Sequence, residues 1–216
     1  MTGIMLKDLK EAFCLKKNII AWVFSILTYL IIVIVMHTKY IYILYNAVVL
    51  PMIGSSVLQY STEQDEISKF NKIMLTYPVT RREIILSKYL SGMLLQLLVF
   101  LIGVAMALLF SFGFRVIDFS NAMEIWFLGV ILSFLFMAVN YMIFFWLGQK
   151  RGSILYLIFG IIIAVTYVLM YFNTDFSIFS SMNTMTLLAI GFLVSVLVLI
   201  GSYFASLKIF TKNHII

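Results

Sequence analysis

"STEQDEISKFNKIMLTYPVTRREIILSK", residues 61–88, carries nine of the chain's 24 charged residues and lies between long apolar runs. Ser61 with Gln64, and Thr62 with Asp65, fit the pattern in which a hydroxyl and a side chain three residues on satisfy orphan backbone N–H groups. This predicts a helix starting near Thr62. Glu63, Asp65 and Glu66 fall in its first turn and Lys69 and Lys72 nearer its other end, the order the helix dipole favours. Asp65 and Lys69 stand four apart, a supporting pair. Ile67, Phe70, Met74 and Tyr77 form one apolar face with Ile73 beside it. Pro78 drives Tyr77 out of the helical region, so the helix spans 62–77. Thr80 and Glu83 make a second capping box, opening a helix that runs into the apolar segment from Tyr89. A short amphipathic helix of this kind either rests in a lipid headgroup layer or docks its apolar face into a groove on a soluble partner.

The surroundings decide the class. Of 216 residues, 63% are hydrophobic and 11% charged, and mean hydropathy is +1.10, an apolar share beyond that of soluble domains. Crossing roughly 30 Å of hydrocarbon takes about 20 apolar residues. Six uncharged runs of at least 21 residues occur, at 18–38, 40–62, 89–114, 125–149, 152–174 and 176–207. The reading is an all-α integral membrane protein forming one transmembrane domain, 1–216, with spans near 19–36, 41–60, 89–112, 125–147, 153–172 and 184–207. Gln149, Lys150, Arg151 and Gly152 form a turn too short to separate spans four and five, so those two are antiparallel neighbours.

Basic residues orient the chain. Thirteen of the fifteen Lys and Arg fall in the N-terminal segment, the 61–88 loop, the 149–152 turn or the tail; only Lys39 and Arg115 lie on the other side. Both termini and the 61–88 loop are therefore expected in the cytoplasm of a multi-pass cell-membrane protein. The net charge of +6 is explained by basic residues beside anionic lipid and calls for no nucleic acid. Residues 4–17 set Met5, Leu6, Leu9, Ala12 and Phe13 against Lys7, Asp8, Lys10, Glu11, Lys16 and Lys17, an amphipathic helix expected along the cytoplasmic interface. The single cysteine, Cys14, excludes an intrachain disulfide.

Polar residues inside the spans are few. Asn46, Gln96 and Asn140 are candidates for lining a substrate route; the simpler role is hydrogen bonding between helices. Pro51 is expected to kink span two. Gly103 with Ala107, Gly160 with Ala164, Gly191 with Ser195, and Gly201 with Ala205 are small-residue pairs suited to close packing. The spans as drawn contain no Asp, Glu, Lys or Arg, which argues against a proton-driven transporter. His37 and His214 stand alone, so no metal is expected, and no catalytic serine arrangement or glycine-rich Walker loop occurs. The chain is expected to be no enzyme, with any energy entering through a partner.

Asp65-Glu66, Phe70-Asn71-Lys72, Leu75, Tyr77-Pro78-Val79-Thr80-Arg81, Glu83-Ile84 and Ser87-Lys88-Tyr89-Leu90, with the amphipathic N-terminus and six spans, resemble the membrane (permease) subunits of type-2 ABC exporters. The narrower resemblance is to the small Gram-positive branch that includes the phenol-soluble modulin exporters. It implies a coupling helix between spans two and three that docks on a cytoplasmic ATPase, and a second permease subunit in a homodimer or heterodimer. ATP and Mg would be bound by the ATPase and no cofactor by this chain. Glu66, Ile67, Phe70, Met74, Leu75 and Tyr77 would supply the coupling contact, and Pro78, Thr80, Arg81 and Arg82 the elbow into span three. The substrates implied are amphipathic peptides or other hydrophobic molecules. The alternative is the six-span ligand-binding subunit of a vitamin importer.

Overall fold

A computed structural model describes residues 2–70, 79–172 and 184–213. Among them every regular element is helical: α1 (Thr2–Cys14), α2 (Lys16–Met36), α3 (Lys39–Leu44), α4 (Leu50–Ile67), α5 (Arg81–Leu108), α6 (Phe119–Phe172) and α7 (Thr184–Asn213). Among the described residues, five stretches are long and apolar enough to cross a membrane. A π-helical turn, Tyr45–Val49, joins α3 to α4 just before Pro51. Such a turn absorbs the register lost where proline offers no N–H.

At 54 residues, α6 is far longer than one span. Gly148 interrupts it with φ 75° and ψ −178°, backbone that a residue with a Cβ rarely adopts. The rings of Phe136 and Tyr156 nevertheless lie 5.6 Å apart, whereas in a straight helix that separation would be roughly 30 Å. The chain therefore folds back at Gly148, and the two arms of α6 are the antiparallel neighbours expected from the short polar turn.

Two apolar clusters hold the bundle together. One centres on Tyr42, Tyr45, Leu50, Phe100 and Phe110; the other on Leu58, Ile85, Met137, Tyr141, Phe144 and Tyr156. Gly103 meets Trp126, Gly160 meets Met52 and Gly191 meets Ile131, as small-residue contacts between helices. Gly201 has no neighbour within 4 Å of a Cβ position. The contact face of α7 is set one residue on, where Ser202 and Ser206 both hydrogen-bond the Tyr89 hydroxyl.

Three expectations change. No helix begins at Thr62: α4 runs through it to Ile67. The Ser61 and Thr62 hydroxyls donate to the carbonyl of Leu58, the back-bonding these side chains adopt inside a helix. Of the expected 62–77 helix, 62–67 is the end of α4, and 71–78 lies outside the described residues, as does loop 173–183. Second, α4 and α5 extend beyond the spans drawn at 41–60 and 89–112, and Asp65 and Lys88 lie buried on those extensions. Third, α1 packs on α4 and α5 through Ile4, Asp8 and Ala12, leaving Leu6 and Phe13 exposed.

Candidate functional site

The loop leaving α4 and re-entering at α5 is rooted in a knot of charge. α1 presents Ile4, Asp8 and Ala12 at four-residue spacing, one stripe of its surface, and this stripe is the buried one. On α4, Ser61 and Asp65 are again one turn apart and buried. On α5 the matching residue is Lys88, one turn beyond the buried Ile84. The Lys88 ammonium donates to Asp65 Oδ2 at 2.8 Å and to Ser61 Oγ at 3.2 Å. From α1, Lys7 donates to the other oxygen of Asp65, stands 3.1 Å from Glu11 and lies 4.1 Å over the Phe70 ring, a cation–π arrangement. Asp8 is fully buried, with Lys88 at 3.6 Å and Lys7 at 3.7 Å.

Burial holds the Asp8 carboxyl above its ordinary range despite the opposing pull of Lys88 and Lys7. Burial raises the Glu11 carboxyl too, against Lys7. Asp8, Glu11 and Asp65 place one oxygen each within 4.8 Å of one another. Two ammonium groups are bonded into the same space, so this is an ion-pair cluster and not a metal centre. A buried pair of this kind adds little net stability, but removing one member leaves an uncompensated charge and costs about 3–5 kcal/mol.

Further contacts frame the knot. Glu66 accepts the backbone N–H of Gln149 at 3.1 Å, joining the end of α4 to the reversal in α6. The Thr80 and Glu83 capping box forms in full and fixes the start of α5. Arg81 donates to the carbonyl of Thr211 at 3.2 Å, bringing in α7, and Lys17 pairs with Glu63. The residues on either side of segment 71–78 are thus tied to α1, α2, α6 and α7.

Of the coupling residues expected from sequence, Glu66, Ile67, Phe70 and Arg81 gather at this end of the bundle, with Ile67 69% exposed. Met74, Leu75, Tyr77 and Pro78 lie outside the described residues. The route candidates do not converge. Gln96 sits against Gly54 between α5 and α4, and neither amide atom has a hydrogen bond. Asn46 donates to Tyr42 and faces Gly129; Asn140 donates to Phe136 one turn back. Recesses of about 380 and 540 Å³ at the far end of α5 and α6 are lined by other residues.

Sequence reading missed Asp8 and Lys88 as members of a site and misplaced Asp65, pairing it with Lys69. The available signal was a charged residue continuing an apolar stripe: Asp8 between Ile4 and Ala12, and Lys88 one turn after Ile84.

The family described as "ABC-2 family transporter protein" matches residues 3–211. No curated protein and no solved structure matches the chain.

Proposed function

The chain belongs to the ABC-2 transporter family, and from that premise we propose that it is the permease subunit of an ATP-driven exporter, engaged by its ATPase through the segment between α4 and α5. The observation that carries the coupling part is the rooting of that segment. Both of its flanks are tied into the bundle by Asp65, Lys88, Glu66 and Arg81, so a push on it is delivered to five helices at once. Folding of α6 at Gly148 supports six spans in place of five. The excess of Lys and Arg at this end supports a cytoplasmic location for it and for both termini.

In this reading a separate ATPase binds ATP and Mg, and closure of two ATPases favours one arrangement of the spans over another. A second permease subunit completes the pathway. The cargo proposed is an amphipathic peptide or similar hydrophobic molecule, in keeping with the resemblance to the phenol-soluble modulin branch. This reading displaces the importer-subunit alternative, whose sign would be tight binding of a vitamin by the purified chain.

The test is co-purification with an ABC ATPase co-expressed with this chain, comparing wild type with Ile67→Asp and Met74→Asp. The substitutions are expected to abolish association and stimulated ATP hydrolysis while leaving the permease folded. Wild-type association and hydrolysis in both would overturn the docking face.

A further inference from the structure

Three carboxylates and two ammonium groups share the knot. With every group ionised it would hold one uncompensated negative charge in a buried place, which is far costlier than taking up a proton. The geometry shows which carboxylate is left over. Asp65 accepts from both lysines, one on each oxygen. Glu11 is partly exposed with Lys7 at 3.1 Å, although its Oε2 makes no hydrogen bond. Asp8 is fully buried, and neither of its oxygens has a hydrogen-bond partner. The nearest cations, Lys88 at 3.6 Å and Lys7 at 3.7 Å, are already committed to Asp65. On α6, Tyr141 is fully buried and its hydroxyl is also without a partner.

We propose that Asp8 is a proton-binding site: at neutral pH its carboxyl holds one proton, which keeps the clasp between α1 and the α4–α5 junction electrically neutral. Release of that proton in alkaline medium puts a bare carboxylate among Asp65 and Glu11 and loosens α1 from the bundle. This site stands independently of any ATPase, since α1, α4 and α5 belong to one chain.

The sign of the pH dependence follows from linkage. An unfolded aspartate gives up its proton near pH ~3.9, whereas folded Asp8 keeps it to higher pH because burial disfavours the anion. Folding then takes up a proton, and wild-type stability falls as pH rises from about 4 through the folded value. Asparagine at this position has no proton to lose, so Asp8→Asn should flatten the profile.

The test uses the purified full-length chain in lipid nanodiscs, read by infrared spectroscopy and by thermal unfolding between pH 5 and pH 9. Wild type at pH 7 should show a protonated-carboxyl stretch that shifts when aspartate is ¹³C-labelled at its carboxyl. The stretch should vanish in Asp8→Asn and persist in Asp118→Asn, at an exposed aspartate outside the knot. Asp8→Asn should gain in melting temperature over wild type as pH rises. If Asp8→Asn does not fold, labelled Asp8→Glu decides, because its band should lose sensitivity to the aspartate label. No protonated band in wild type at pH 7, a band indifferent to aspartate labelling, or parallel stability profiles for wild type and Asp8→Asn would each overturn the assignment.

Discussion

Lys88 and Asp65 illustrate why single side chains matter here. Both are almost fully buried, and each satisfies the other's charge at 2.8 Å. Lys88→Met leaves Asp65 and Asp8 facing a single lysine in a dry site. The expected loss is about 3–5 kcal/mol of folding stability, measurable as a lowered melting temperature of the purified chain. Wild-type melting of Lys88→Met would show that water reaches the knot. Gly54 offers a second case: an added Cβ would fall 1.4 Å from the Gln96 side-chain oxygen. Gly54→Ala should therefore destabilise by about 1–3 kcal/mol through overpacking. Gln96→Ala in the same chain should recover part of that loss, and equal melting of the single and double variants would contradict the contact.

Among the elements, α5 was the most legible, because its start depends on residues three apart. The Thr80 and Glu83 box needs no tertiary context, and it forms as read. Removing it with Thr80→Ala should cost about 1 kcal/mol, seen as a small fall in melting temperature and earlier hydrogen exchange in the first turn of α5. An unchanged exchange rate there would count against the cap. The same capping pattern at Ser61 and Thr62 misled, since those hydroxyls are satisfied by Leu58 inside a helix that simply continues. A cap motif marks a start only where the preceding residues leave the helical region, as Thr80 does with ψ 151°. The buried face of α1 was hidden for a different reason. Lys7 and Asp65 are 58 residues apart, and Lys88 a further 23, so nothing local marks their meeting. Amphipathicity pointed to Leu6 and Phe13, which the bundle leaves exposed.

At the scale of the whole molecule, the membrane class was legible from composition alone, because apolar runs of span length have few other uses. The way the spans pack was not, since lipid-facing and helix-facing residues are equally apolar: α2 is exposed on nearly every face, while α4 and the first arm of α6 are buried. The charged knot, the reversal at Gly148 and the exposed Ile67 lie together at one end of the bundle, and the proposed function requires that end to face the cytoplasm and its ATPase. Thiol labelling of Ile67→Cys in a Cys14→Ser background, using a membrane-impermeant reagent, asks this directly. A cytoplasmic knot predicts no labelling in intact cells, ready labelling in opened membranes, and protection when the ATPase is bound. Labelling from outside intact cells would contradict it.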